Sequence, residues 1–304
     1  MNHTCNFCAH NCNVNRNNES GFCKIDSGMY ISTICVHKGE EPVISGEKGI
    51  CNVFFNHCNL QCDYCQNYQI SDNKGDLHQF SIDLESAYSQ IAKILDSGIK
   101  SLGFVSPTPY ISKIHELVNL LHSRKYFPTI VYNTNAYENP QTILDLESIV
   151  DVYLPDYKYA NEEIAKKYSH INNYPETALA AIKEMYRQKG SDLILDETGL
   201  AKQGLIIRHL VLPSNIENSK SVLLNIALEI SSKVHISLMS QYYPIYKSYK
   251  HPEINRKLSE EEYNSVIDFM DDLGLNSGWV QELESSENYL PNFENEKAFG
   301  ENKK

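Results

Sequence analysis

The sequence predicts an α/β fold in which six strand–helix units follow one another along the chain. Short apolar runs alternate with segments of helical periodicity, and neither a long internal repeat nor a linker interrupts residues 50–280. Alternation of this kind implies parallel strands that are joined by right-handed helical crossovers. Six such units form either an open doubly wound sheet or a partial barrel.

Each element is identified by its length and by the spacing of its apolar residues. The predicted strands cover residues 53–55, 102–105, 129–132, 150–154, 205–212 and 235–239. The predicted helices cover residues 84–95, 111–121, 141–146, 175–188, 219–231 and 259–273. In both architectures ligands bind at the carboxyl ends of the strands, so the loops after the strands are the places to examine.

The chain of 304 residues is divided here into three parts. Residues 1–49 form a cysteine-rich, irregular N-terminal segment that is predicted to bind metal, and residues 50–284 form the predicted barrel. The tail, residues 285–304, is rich in Asn, Glu and Lys and is predicted to be partly disordered.

Charge and hydropathy limit the partners of the protein. Its net charge of −12 is opposite to that of a general polyanion binder, so we expect no nucleic-acid partner. No apolar run is long enough to span a bilayer, and the N-terminus lacks the basic start and apolar stretch of a secretory signal. We therefore expect a cytoplasmic protein without a membrane partner.

All nine cysteines lie within the first 65 residues. An odd number of cysteines in a long chain without an export signal argues against a disulfide framework. Clustered thiols in such a chain are better explained as ligands of a metal ion or an iron–sulfur cluster.

Three of these cysteines, Cys58, Cys62 and Cys65, directly follow the first predicted strand. Three thiolates at these spacings bind one face of an iron–sulfur cubane and leave one iron with an open position, where chemistry takes place. The alternative is a zinc knuckle with His57 or Cys51 as the fourth ligand. The position at the end of the first strand favours the cluster.

The motif Cys58-x3-Cys62-x2-Cys65, with the aromatic Tyr64 before the last cysteine, resembles the signature of the radical S-adenosylmethionine (SAM) superfamily. The strings FFNHCNL at residues 54–60 and CQNYQIS at residues 65–71 resemble the pyruvate formate-lyase activating enzyme-like group. A Glu-Glu-Pro segment at residues 40–42 adds to this resemblance, which runs from about residue 5 to residue 281. It implies a partial (β/α)6 barrel.

The resemblance also implies the cofactors and the reaction. A [4Fe–4S] cluster on the three cysteines would take an electron from a flavodoxin or ferredoxin and cleave SAM to a 5′-deoxyadenosyl radical. That radical would abstract hydrogen from a protein such as a glycyl-radical enzyme, from a peptide or from a small molecule. The expected class is an oxidoreductase that works under anaerobic conditions.

Polar residues follow the third and fourth predicted strands. The resemblance implies that Asn133, Asn135, Asp156 and Lys158 contact SAM, and that Thr134 joins Asp156 at a monovalent cation. The alternative is a local charge pair in a loop.

Two further candidates lie on the last two predicted strands. Arg208 interrupts an apolar run and needs a partner, because burying an isolated charge is costly. That partner is either an internal carboxylate or, as the resemblance favours, the carboxylate of bound SAM. Gln241 either contacts adenine or substrate or satisfies buried backbone groups.

The segment after the second predicted strand departs from the family pattern. Activating enzymes carry Gly-Gly-Glu there to hold the amino group of SAM, whereas this chain has SPTPY at residues 106–110. Ser106 and Thr108 supply hydroxyl or carbonyl oxygens as candidate ligands, but the segment contains no carboxylate.

The N-terminal cysteines form a separate candidate site with the pattern Cys5-x2-Cys8-x3-Cys12-x10-Cys23. A structural zinc ion and a second iron–sulfur cluster explain it equally well, and free thiols are the third alternative. For the whole chain, the alternative to a radical enzyme is a non-catalytic zinc or iron–sulfur electron-transfer protein. The polar residues at the strand ends argue against it, because an electron carrier needs no SAM pocket.

Overall fold

The computed structural model describes residues 4–283, 290–295 and 298–299, and the fold is given for these residues. Its strands are β1 (Ile31–His37), β2 (Ile50–Phe55), β3 (Ser101–Val105), β4 (Thr129–Thr134), β5 (Val152–Pro155), β6 (Ile194–Leu195), β7 (Ala201–Leu210), β8 (His235–Met239) and β9 (Gly278–Val280). Its α-helices are α1 (Pro42–Ser45), α2 (Tyr68–Ser71), α3 (Leu84–Leu95), α4 (Ile111–Ser123), α5 (Pro140–Asp145), α6 (Glu162–Ser169), α7 (Tyr174–Lys189), α8 (Ile216–Glu229) and α9 (Glu260–Asp272).

The strands form one sheet in the order β1-β2-β3-β4-β5-β7-β8-β9, with β6 paired to β7. Pairing is parallel from β2 to β9 along this order, whereas β1 and β6 are antiparallel to their neighbours. Because β1 and β9 lie at opposite ends of the order, the sheet is not closed. The predicted α/β partial barrel is confirmed.

The six predicted strand–helix units are all present. The strand at residues 235–239 and the helix at residues 84–95 have the predicted bounds, and the other bounds differ by four residues or fewer. Helices α1, α2 and α6 and strands β1, β6 and β9 were not predicted. Strand β1 lacks a clear apolar alternation, since most of its residues are half-buried, and it exists because it pairs with β2. The predicted tail lies largely outside the described residues.

The two faces of the sheet carry different residues because side chains alternate along each strand. The outer face packs on the helices through residues such as Val53, Phe104 and Ile207. The inner face begins with an apolar layer that includes Ile50 and Val131, and helix α1 covers this layer with Ile44. Farther along the strands, the inner face is polar.

That polar layer lies toward the carboxyl ends of the strands. It contains Asn52 of β2, Asn133 of β4 and Arg208 of β7, and β8 adds Ser237 directly beside Arg208. Polar groups in a barrel interior need partners from one another or from a ligand. This layer therefore marks the functional end of the barrel.

Candidate functional site

The loop after β2 brings Cys58, Cys62 and Cys65 to one cavity of about 200 Å³ at the carboxyl ends of the strands. Cys58 and Cys62 are buried, and Cys65 is half-buried. The three predicted ligands therefore lie at the place where a (β/α) barrel binds its ligands.

Side chains from outside the loop fix its backbone. The Oδ1 atom of Asn73 accepts from the amide of Cys58 over 3.1 Å, and its Nδ2 atom donates to the Cys58 carbonyl over 3.0 Å. His57 has a φ of 62°, and its Nδ1 atom lies 2.8 Å from the carbonyl oxygen of Cys23. The left-handed conformation at His57 turns the chain so that Cys58 faces the cavity.

Each cysteine sulfur has a polar neighbour. The Oγ atom of Ser169 donates to Sγ of Cys62 over 2.9 Å, and Oγ of Ser71 lies 3.1 Å from Sγ of Cys65. The Nδ2 atom of Asn135 donates to Sγ of Cys58 over 3.4 Å. Donors of this kind stabilise a thiolate or a cluster sulfur. Ser169 on α6 and Ser71 on α2 were not among the predicted site residues, although Ser71 ends the string CQNYQIS that carries the resemblance.

The protein environment disfavours free thiolates at these positions. Burial raises the pKa of Cys58 to about 12 and that of Cys62 to about 11, although Lys158 lowers the latter. Burial also raises the pKa of Cys65. Thiols in this environment lose their protons more readily when positive charge is bound beside them, and iron supplies such charge. The donor set therefore fits a thiolate-bound cluster.

A charged network occupies the opposite wall of the cavity. Asp156 accepts from Nε of Arg208 through Oδ1 and from Nζ of Lys158 through Oδ2, each over 2.7 Å. The other guanidinium nitrogens of Arg208 donate to Oε2 of Glu40 over 3.1 Å and to Oδ1 of Asn133 over 2.7 Å. Burial would raise the pKa of Asp156, but Arg208 and Lys158 outweigh it and hold that pKa below its ordinary value.

Of the two partners predicted for Arg208, an internal carboxylate or the carboxylate of SAM, this geometry corresponds to the internal one. Both residues border the cavity, but Arg208 has an internal acceptor at each of its three nitrogens, whereas Asp156 is the one side-chain acceptor of Lys158 among the residues that the structure describes. Lys158 is therefore better placed than Arg208 to offer a hydrogen-bond donor to a bound molecule.

Glu40 is a further cavity residue that was not among the predicted site residues. Its carboxylate lines the cavity and accepts from Asn52 over 2.9 Å, besides its contact with Arg208. Glu40 belongs to the Glu-Glu-Pro segment, which was the available signal. Only the return of β1 along β2 brings this segment to the barrel interior.

The two predicted ligands in the segment after β3, Ser106 and Thr108, lie in different environments. Ser106 lines the cavity with a φ of 54°, a left-handed conformation that glycine adopts most readily. The buried Thr108 instead donates to Oε1 of Glu138 over 2.5 Å. Thr134, predicted as a cation ligand, also donates to Glu138. The structure thus turns the side chains of both threonines toward Glu138.

The remaining candidates, Tyr64 and Gln241, both border the cavity. The hydroxyl of Tyr64 lies 2.6 Å from that of Tyr159. The Oε1 atom of Gln241 accepts from Gln281 over 3.1 Å, and the carbonyl of Gln241 accepts from Gln66 over 2.8 Å. These contacts orient Tyr64 and Gln241, and Gln66 itself borders the cavity.

The N-terminal cysteines form a second group. Cys5, Cys8, Cys12 and Cys23 all line a separate small cavity beside Asn59. Across the described part of the chain, no group of three or more His, Cys, Asp or Glu side chains is arranged to hold a single metal ion.

Comparisons with known proteins identify the family. Residues 52–198 match the family model of the radical SAM superfamily. An uncharacterized protein of Methanocaldococcus jannaschii is 32% identical over 276 residues, which cover 89% of this chain and 75% of that protein. The chain belongs to the radical SAM superfamily.

Solved structures agree with this radical SAM fold. The FeFe-hydrogenase maturase HydG from Carboxydothermus hydrogenoformans has 13% identity and a TM-score of 0.51, covering 77% of this chain and 54% of its own. SuiB of Streptococcus suis bound to S-adenosylmethionine has 12% identity and a TM-score of 0.50, and the match covers 76% of this chain and 50% of the SuiB chain. The chain thus spans about half the length of each solved structure.

Membership of this enzyme superfamily implies a [4Fe–4S] cluster and SAM as cofactors. Within residues 4–283, 290–295 and 298–299, no helix combines the length and apolar character needed to cross a membrane.

Proposed function

We propose that this protein is a radical SAM oxidoreductase of the pyruvate formate-lyase activating enzyme-like group. One observation carries the proposal: Cys58, Cys62 and Cys65 share a cavity with Lys158 and Asp156. An electron-transfer protein would need the thiols but not the charged wall opposite them.

The three cysteines would hold the cluster through their thiolates. A bound cluster with three protein ligands keeps one iron open, and it supplies the electron that cleaves SAM. Ser169, Ser71 and Asn135 stabilise the ligands by donating to sulfur or lying beside it. The buried residues around Cys58 and Cys62 would limit the access of water, which protects a radical from side reactions.

SAM would bind between the cysteines and the charged wall. Among the described residues, Lys158 bonds through Nζ to Asp156, which holds it in place, and its other two N–H donors would reach the carboxylate of SAM. Ser106, Asn135, Tyr64 and Gln241 border the same space and supply polar contacts that would orient the rest of the molecule. Asn133 and Arg208 also line the cavity, and each bonds to the other and to Glu40.

The monovalent cation that the resemblance implies at Thr134 and Asp156 is not part of this proposal. Lys158 and Arg208 already pair with both oxygens of Asp156, and Thr134 donates to Glu138. A further cation at Asp156 would have to bind beside two existing positive charges, which is electrostatically unfavourable.

The substrate proposed from the resemblance is a molecule with an abstractable hydrogen atom: a protein such as a glycyl-radical enzyme, a peptide or a small molecule. The proposed electron donor is a cytoplasmic flavodoxin or ferredoxin, and the chemistry is anaerobic.

The test is cleavage of SAM by the anaerobically purified and reconstituted protein. With dithionite as reductant, we expect 5′-deoxyadenosine by mass spectrometry from the wild type and none from Cys58→Ala. Cys35→Ala is the matched control, because Cys35 lies on β1 outside both cysteine groups. If a fully loaded wild-type cluster yields no product, the proposal is wrong and the electron-transfer alternative replaces it.

A further inference from the structure

The C-terminal segment, defined as the described residues 290–295 and 298–299, lies against the site cavity. Pro291 and Phe299 line the same cavity as the three cysteines and Lys158. Both residues belong to the tail for which the sequence predicts partial disorder, so neither was a candidate for the site. The wall of the cavity therefore includes a part of the chain that lies outside the six strand–helix units.

Aromatic side chains pack the segment against the sheet. The ring centroids of Phe293 and Phe299 lie 5.4 Å and 5.2 Å from that of Phe54. The centroid of Phe299 also lies 4.3 Å from that of His37 on β1. Phe54 shares the inner face of β2 with Asn52, because side chains alternate along a strand. The segment thus covers the inner face of the sheet at the carboxyl end of β2.

Hydrogen bonds fix the position of the segment along the sheet. Nε2 of Gln69 donates to Oδ1 of Asn292 over 3.0 Å, and Oε1 of Gln69 accepts from the amide of Phe293 over 2.9 Å. The amide of Asn292 donates to the carbonyl of Ala298 over 2.8 Å. Gln69 lies on α2, shortly after Cys65. One side chain beside the cysteine loop therefore holds two consecutive residues of the segment.

The segment extends the cavity wall at the open side of the sheet. The carbonyls of Gln281 and Glu282, directly after β9, accept from Oγ of Ser240, the residue after β8, over 3.4 Å and 2.7 Å. Phe299 instead packs on β1 and β2. Because β1 and β9 lie at opposite ends of the strand order, the chain passes from one edge of the sheet to the other between these residues.

The segment adds to the apolar part of the cavity. Phe54, Val105 and Met239 line the cavity toward the carboxyl ends of β2, β3 and β8, and Phe299 contacts Phe54 of this group. The charged wall, by contrast, offers hydrogen-bond donors and acceptors. SAM carries both kinds of group, since its amino acid part is charged and its adenine ring presents a flat face on which aromatic side chains stack.

We propose that the C-terminal segment is part of the SAM-binding site and that Phe299 packs on the apolar part of the bound molecule. The inference rests on the proposed function, because it takes SAM to be the molecule that the cavity binds. Gln69 and Phe293 act as positioning residues, since they hold the segment that carries Phe299. Binding of SAM and packing of the segment then favour each other by the same factor, as thermodynamic linkage requires.

Equilibrium dialysis of SAM against the full-length, cluster-loaded protein tests one direction of this coupling. No reductant is added, so SAM is bound but not cleaved. We expect Phe299→Ala and Gln69→Ala each to raise the dissociation constant of SAM about fivefold or more, the lower end of typical coupling between sites. Phe127→Ala and Gln79→Ala are the matched controls and should leave the constant unchanged, because Phe127 is 65% exposed and Gln79 lies in an exposed loop.

Amide hydrogen exchange of the same loaded protein tests the other direction. SAM should slow exchange at the amides of Asn292 and Phe293 about fivefold or more in the wild type, and should lose this effect in Gln69→Ala. Phe299→Tyr keeps the ring and should retain the wild-type affinity for SAM. A segment with a structural role alone would lower the stability of the variants but change neither quantity.

Two results would overturn the proposal: the same SAM affinity in Phe299→Ala as in the wild type, or exchange at Asn292 and Phe293 that does not respond to SAM. If Phe299→Ala does not fold, Gln69→Ala and the exchange of the wild type still decide. Because neither readout involves cleavage, a protein that shows the coupling but yields no 5′-deoxyadenosine on reduction would contradict the proposed function alone. A loaded wild type that binds no SAM would contradict both.

Discussion

Nε of Arg208 lies 2.7 Å from Oδ1 of Asp156, and this contact joins strand β7 to the residue that follows β5. The two residues also form a parallel backbone bridge. Their side chains are only 13% and 17% exposed. The pair therefore fixes the charged wall of the cavity before any ligand binds.

Removal of one member of this pair should be costly. We expect Asp156→Asn or Arg208→Met to lower the free energy of unfolding by about 1.5–3 kcal/mol, because each removes a charged hydrogen bond while the remaining charge keeps Glu40 or Lys158 as a partner. The double variant should lose less than the sum of the two. Chemical denaturation measures all three, with the exposed pair Lys113–Glu116 as the control. Additive losses would show that the two residues act independently.

Ser169→Ala should weaken iron binding while the protein remains folded. It removes the hydrogen bond to Sγ of Cys62, whose pKa burial raises to about 11. Loss of such an outer contact typically weakens metal binding about 10- to 100-fold. Competition with an iron chelator measures the loss. Ser221→Ala, which removes an exposed hydroxyl on α8, is the control, and equal iron retention in the two variants would contradict the prediction.

His209 should make stability depend on pH. Burial lowers the pKa of His209 to about 4, whereas an unfolded histidine titrates near 6.5. The unfolded state therefore binds the proton first as pH falls. The contribution of neutral His209 to the free energy of unfolding is therefore complete above about pH 6.5. As the pH falls toward 4, about 3 kcal/mol of it is lost.

A comparison of the wild type with His209→Gln tests this pH dependence of stability. Its free energy of unfolding should fall less steeply than that of the wild type between pH 6.5 and pH 4.5. Nδ1 and Nε2 of His209 contact the Tyr157 carbonyl and the Ser219 hydroxyl, so the neutral ring is fully bonded. The exposed His78→Gln should keep the wild-type slope. Parallel slopes for wild type and His209→Gln would refute the assignment.

Gly103→Ala should disturb the polar layer of the barrel. A methyl group at Gly103 on β3 would collide with Oδ1 of Asn52, which holds Glu40 through its Nδ2 atom. Forced overpacking of this kind costs about 1–3 kcal/mol. Thermal or chemical denaturation measures the cost. Gly75→Ala, where the added methyl group makes an ordinary 3.9 Å contact with the Asp72 carbonyl oxygen, should change stability by less than about 0.5 kcal/mol, and equal effects would contradict the packing argument.

The sequence was sufficient to predict a helix or strand where the signal for that element is strong and local. Helix α3 shows this, because the spacing of its apolar residues and the Asp83 cap both lie within one short segment. Strand β1 was missed because its pairing with β2 is a long-range contact that leaves no alternation in its own residues. The same contact carries Glu40 into the cavity, so the site residue was missed for the same reason.

By itself, the sequence determined the α/β class, the order of the six units and the cysteine spacing, since periodicity and ligand spacing are properties of the local chain. Only the tertiary structure decided what each polar side chain contacts. Asp156, Lys158, Arg208 and Glu40 come from three distant segments, and the twist of the open sheet brings them to one wall. A buried charge requires a partner, but the sequence does not say which one, because that choice depends on distances set by packing.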